Sequence, residues 1–210
     1  MNDVLKKVFA WMGVGLVITF LTGYYVASNS QMLVGLSNLF IFFIIAEFAV
    51  VIILSARITK LNPTTAKILF LLYSFLTGLT FSSIFIAYEL TSVIYVFLIT
   101  AVLFGILSFV GYTTKADLTK IGTYLFIGLL GMIISAIINL FIGGTMFGLI
   151  LSCIGIVVFL GYTAYDVQKI KLLMDSMDED NLAIYGALQL YLDFINLFLD
   201  LLRLFGKGKD

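Results

Sequence analysis

The 210 residues are 62% hydrophobic, 15% aromatic and only 11% charged, with a mean hydropathy of +1.16 and no net charge. Such a chain is a polytopic membrane protein, and it carries neither a separate soluble domain nor the basic surface a nucleic-acid partner requires. Cys153 is alone in an apolar run, so no internal disulfide forms, and there is no histidine, so any titration near neutrality falls to a carboxyl group.

Taken in order, Lys6 and Lys7 precede an uncharged run over 8–27. That run is longer than a signal-peptide core, and Tyr25 stands where a small residue would precede cleavage, so it reads as an uncleaved first span. A polar turn at Ser28 to Gln31 leads to a second span over 32–55, which contains Glu47 and ends before Arg57 and Lys60. Asn62 and Pro63 then read as N-cap and first helical residue of the third span, 64–88. Glu89 and Thr91 mark the next turn, and the fourth span covers 92–112. The uncharged stretch from Ile121 to Tyr165 is too long for one helix, and Gly143 and Gly144 divide it into spans over 121–141 and 145–168. An acidic connection, Asp175 to Asp180, supplies helix-capping aspartates for the seventh span, 182–205. The expected architecture is therefore all-α, one seven-helix transmembrane domain over residues 1–210.

The seventh span carries Gln189, Asp193, Asn196, Asp200 and Arg203, spaced three or four residues apart, which forms one polar stripe on a helix. A carboxylate at mid-span costs about 3 kcal/mol and turns to a bundle interior or a wet cavity. This helix is accordingly expected at the centre, with the other six around it.

Lys6, Lys7, Arg57, Lys60, Lys67, Lys115, Lys120, Lys169 and Lys171 all fall on the N-terminal side of the membrane, and the intervening turns hold no lysine or arginine. The positive-inside rule then makes the N-terminus cytoplasmic in a multi-pass cell-membrane protein. Arg203, Lys207 and Lys209 are discordant if the last helix crosses fully. Two further patterns stand out. Phe109 to Thr113 and Phe159 to Thr163 repeat a Phe-x-Gly-Tyr-Thr ending, and Gly144, Gly148, Ser152 and Gly155 form a small-residue face for close helix packing.

Charges within or at the ends of spans are the candidates for chemistry. Asp166 lies near the N-terminal-side end of span six, and Asp193 and Glu47 lie deeper, at similar depth. An intramembrane acid is a functional candidate by default, whereas Arg57 reads equally as an anchor at the membrane face and Glu47 as a paired structural group. Glu47, Asp193, Asn196 and Asp200 are the candidates to line an ion pathway.

The segments Gly161-Tyr-Thr-Ala-Tyr-Asp166 and Leu190-Tyr-Leu-Asp-Phe-Ile-Asn-Leu-Phe-Leu199 closely resemble signatures of the transmembrane Bax inhibitor motif family, and Gly78-Leu-Thr-Phe-Ser-Ser83 resembles its third-helix segment. The bacterial branch is the most similar. The resemblance implies a seven-helix fold with a central last helix and a pH-sensitive calcium leak. It further implies that Asp166 and Asp193 act as a paired pH sensor, holding calcium at most transiently, and that Arg57 latches the acid of helix six. Calcium would be the transported ion and protons the regulator, with no permanently bound cofactor and no catalytic residue. Bacterial relatives are also associated with a membrane-bound ATP-dependent protease, for which this sequence shows no motif.

Elementary chemistry agrees with that implication: two carboxylates held close in a low dielectric cannot both ionise cheaply, and they titrate as a pair. Other classes stay open. A proton-coupled solute transporter would use the same acids as carriers, and modulation of the protease is a further alternative. An intramembrane aspartyl protease also pairs two helical aspartates, but Leu190-Tyr191-Leu192 precedes Asp193 where that class needs a Gly-x-Gly run, and Pro63 is the chain's sole proline.

Overall fold

The computed structural model describes residues 3–209. Among them are eight α-helices: α1 (Asp3–Ser28), α2 (Ser30–Ser37), α3 (Phe40–Arg57), α4 (Pro63–Ala87), α5 (Leu90–Thr113), α6 (Thr119–Ile142), α7 (Thr145–Leu173) and α8 (Glu179–Phe205). All but α2 are long and apolar enough to cross a membrane, which agrees with the seven spans expected from hydropathy. Large apolar side chains such as Phe42, Phe48, Tyr124 and Phe141 stand exposed along α3 and α6, a surface suited to hydrocarbon and not to water.

The helix boundaries follow local chemistry. Asn62 adopts an extended conformation and accepts from the Thr64 amide at 2.9 Å, with Pro63 opening α4 as anticipated. Asp178 caps α8 by accepting from the amides of Asp180 and Asn181, both at 3.1 Å. Gly143 and Gly144 take φ of 67° and 144°, values that favour glycine, and so end α6 and open α7. Asp117 accepts from the Thr119 amide at 2.9 Å. Hydrogen bonding to the Thr119 side chain and amide, with Lys120 nearby, holds its carboxyl below the usual carboxylate range.

Several boundaries differ from the sequence reading, α1 beginning at Asp3 and α8 at Glu179, and two of the differences change the packing. The span expected over 32–55 is broken at Asn38–Leu39: α2 is a single short helix capped by Asn29, and the crossing segment is α3. The span expected to end at 168 continues to Leu173, because Gln168 finds partners in the α5–α6 connection and Lys171 finds one in the last turn of α5. Gln168 accepts from the Leu118 amide and donates to the Ala116 carbonyl, and Lys171 donates to the Tyr112 carbonyl. As a result the two Phe-x-Gly-Tyr-Thr segments are not equivalent: the first closes α5, whereas the second lies well inside α7.

The chain packs as two compact units, and α8 contributes to both. The first unit contains α1 to α4, the connection from Leu173, α8 as far as Tyr191, and the tail from Gly208. Its core is the pairing of α1 with α4, which approach closely where Gly23 and Gly78 meet; a Cβ on either would press into the other helix. Thr19 of α1 donates to the Ser74 carbonyl and shares a 2.6 Å hydrogen bond with the buried hydroxyl of Tyr191. At one end of this unit Lys7 pairs with Glu179 at 2.7 Å and Lys67 with Asp180 at 2.9 Å. At the other end the tail bridges Gly208 to Tyr88.

The second unit contains α5, α6, α7 and α8 from Leu192. α5 and α7 touch at Gly111, where a Cβ would overlap the Ala164 backbone, and Gly122 of α6 makes room for the Tyr165 ring. Phe194 of α8 packs on Phe97 and Phe104 of α5, with ring centroids 5.1 and 5.5 Å apart. Of the seven spans α8 is the most buried, 72% of its most apolar stretch against 6% for α3.

Candidate functional site

In the second unit, rotation of α8 is fixed by Phe194 and Phe198 against the ring of Phe97. Successive helical residues point about 100° apart, so anchoring Phe194 on α5 leaves Asp193 free to face another neighbour. That neighbour is α7. Asp166 and Asp193 are 4% and 5% exposed and lie within hydrogen-bonding reach of each other. Asp166 is held in register by the Gly111–Ala164 contact on one side and the Gln168 clamp on the other.

A carboxylate has no proton to donate, so two carboxyl groups in contact away from water need a proton between them. The second oxygen of Asp193, Oδ2, is buried and has no hydrogen-bond partner. Lys169, one turn beyond Asp166, is the nearest cation to act on it, and its ammonium also lies 5.6 Å from the Tyr165 ring centroid. Tyr162, one turn before Asp166, completes the polar groups of this face. The site is thus two acids, a lysine and a tyrosine, at the contact of α7 with α8.

The other residues singled out from sequence fall elsewhere. Glu47 belongs to the first unit, where its two oxygens accept from Thr77 at 2.8 Å and Thr80 at 3.1 Å, both on α4. Arg57 ends α3 in the same unit and is exposed. Asn196 is half-buried and donates to the Leu192 carbonyl of its own helix at 2.8 Å. Asp200 is also half-buried, with its carboxyl laid over Gly155 of α7. Gln189 is half-buried and Arg203 exposed. Among the described residues no group of three His, Cys, Asp or Glu side chains comes together to hold a metal. The Thr77 and Thr80 partners of Glu47, the Gln168 clamp and Ser152 were not singled out as site residues in the sequence. The signals for the threonines are their spacing on α4, three apart and therefore on one face, and the place of Thr80 in the Gly78–Ser83 segment.

Comparison with known proteins gives a consistent result. The model of the family described as inhibitor of apoptosis-promoting Bax1 matches residues 1–210. The inner membrane protein YbhL of Escherichia coli K12 is 44% identical over 214 residues, covering 98% of this chain and 92% of the relative. An uncharacterized protein of Borreliella burgdorferi is 42% identical over 217 residues, covering 100% and 94%. An uncharacterized membrane protein of Streptococcus pyogenes serotype M1 is 35% identical over 216 residues, covering 99% and 94%.

Proposed function

The chain belongs to the Bax inhibitor family of multi-pass membrane proteins, and from that premise we propose that it is a pH-sensitive calcium leak of the cell membrane, gated by Asp166 and Asp193. The observation that carries the reading is the contact of these two buried acids in a protein without histidine. Gain or loss of their common proton changes the charge at the deepest point of the site by one unit, which makes the pair a proton switch. Calcium is a hard cation that takes oxygen ligands, and the carboxyl oxygens of the pair can supply them. Two carboxyls are too few to store the ion, and weak, sparse binding suits passage.

In this reading Arg57 latches Asp166 in the closed state, and acidification protonates the pair, releases the arginine and opens the path. The N-terminus is cytoplasmic, calcium and protons are the partners besides the bilayer, and no cofactor or catalytic step is needed. The test is flux in vesicles reconstituted with the full chain. A passive calcium flux that rises on acidification is the expected result. Proton movement that depends on an added solute would make the protein a coupled transporter, and movement of neither ion would remove both readings.

A further inference from the structure

The turn from α1 into α2 encloses space as well as redirecting the chain. Within the first unit, the end of α1, the short helix α2, Phe43 of α3, and Phe75 and Leu79 of α4 surround a cavity of about 760 Å³. Among the described residues of its wall none is charged. The cavity is continuous with the surface that faces hydrocarbon: Leu21, Tyr25 and Phe75 of its wall are 59%, 61% and 46% exposed. Its depth runs inward from the membrane face. Tyr24 and Tyr25 lie close to the end of α1 at Ser28, beside the polar residues Asn29 to Gln31, where tyrosine marks the interface between membrane and water. Leu79 lies eight residues before the end of α4 at Ala87, roughly 12 Å deeper.

An uncharged wall open to hydrocarbon takes hydrocarbon, because water finds no hydrogen-bonding partners there and a methylene chain completes the dispersion contacts of the wall. We propose that the cavity is a binding site for one acyl chain of a bilayer phospholipid, with the headgroup at the Asn29–Gln31 turn and the chain running inward past Tyr25 to Phe75. The wall recognises the chain and not the headgroup, so phospholipids of either headgroup charge fit. The chain packs between α1 and α4 on one side and α2 with Phe43 of α3 on the other, so the lipid becomes part of the packing of α3. The site stands whether or not the leak reading does.

The experiment is native mass spectrometry of the full chain, delipidated in detergent and then given palmitoyl-oleoyl phosphatidylethanolamine or phosphatidylglycerol. One phospholipid per chain, of either kind, is expected to survive activation that strips the rest. Leu36→Trp puts an indole into the cavity and should reduce the retained lipid by about tenfold or more, the loss that displacing about two methylene groups produces. Phe48→Trp, at an exposed position of α3 outside the cavity, should retain it at the wild-type level. A phosphatidylcholine with a diazirine midway along one chain should label the 29–36 and 75–79 segments of the wild type and spare them in Leu36→Trp. Equal retention in Leu36→Trp and the wild type would overturn the site, as would retention of one headgroup alone, which places recognition outside the cavity. Dimers that Leu36→Trp abolishes would make a second copy the occupant and overturn it likewise. If Leu36→Trp does not fold, Met32→Trp, at an exposed position of the same wall, decides on the same terms.

Discussion

The ammonium of Lys209 donates to the main-chain oxygen of Phe85 at 2.8 Å, and the Lys209 amide donates to the Ala87 carbonyl at 2.9 Å. The end of the chain is thereby fastened to the last turn of α4. The start of α8 is fastened to the opposite end of α4, through Lys67 to Asp180 and through Asn181 to the Leu61 carbonyl at 3.2 Å. So α8 begins at one end of α4 and the tail after it finishes at the other, which means that α8 crosses fully. The discordant basic tail also gains a reason: a lysine beside the carbonyls of a helix C-terminus completes their hydrogen bonds and meets the negative end of the helix dipole.

Reporters fused to the two termini should accordingly lie on opposite sides of the membrane. With the N-terminus cytoplasmic, a cysteine at Ser30 should label from outside and one at Lys115 should be protected. Termini on the same side would contradict the crossing of α8, and the inverse labelling pattern would reverse the orientation.

Asp193→Asn keeps the size of the side chain and leaves Asp166 without a second acid to share a proton. Calcium flux in that variant should lose its response to pH across the neutral range while the protein stays folded by circular dichroism. Asp117 cannot substitute as the sensor. Its carboxyl is held below the ordinary value by Thr119, so any stabilisation of α6 that it provides is present above about pH 4 and lost only as pH falls through the lowered value. A pH response that survives in the double variant Asp166→Asn, Asp193→Asn would move the sensor elsewhere, with Glu47 the next group to replace.

On the proposed role of Arg57 as a latch, Arg57→Ala should raise calcium flux at alkaline pH and flatten its pH dependence. An unchanged flux profile in a folded variant would leave Arg57 as an anchor at the membrane face.

Gly111→Ala puts a methyl group into the Ala164 backbone at the α5–α7 contact, and overpacking of this kind costs about 1–3 kcal/mol. The melting temperature in detergent should fall. Gly131→Ala on α6 has no neighbour within 4 Å and should melt at the wild-type temperature or slightly above, alanine being the better helix former. Equal melting of the two variants would deny the close approach.

The spans were legible because hydropathy and caps act locally: Asn62, Pro63, Asp178 and the Gly143–Gly144 pair each do in the structure what their chemistry predicts. The pairing of Asp166 with Asp193 was legible only through the family resemblance, since spacing along one chain says nothing of which helices face each other. The break at Asn38 was missed because Ser37 and Asn38 are a weak polar signal inside an apolar run. The extension of α7 was missed because charges at Asp166, Lys169 and Lys171 looked like an exit from the membrane, whereas Gln168 and Lys171 are satisfied by the segment from Tyr112 to Leu118. Ser152 was read only as small; that its hydroxyl neighbours the Asp200 carboxyl is a tertiary fact.

The break before α3 has a mechanical consequence. At 18 residues α3 is about 27 Å long, barely the thickness of the hydrocarbon, and Leu54 is its one buried side chain among those described. When such a helix moves, it exchanges apolar protein contacts for lipid contacts of the same kind, so the bilayer offers little resistance. The polar part of its attachment is the pair of hydrogen bonds from Thr77 and Thr80 to Glu47, together about 1–2 kcal/mol. α3 is thus held by shape, through Phe43, Ala46 and Val50 on the Val26, Leu76 and Leu79 cluster, and by one carboxyl catch.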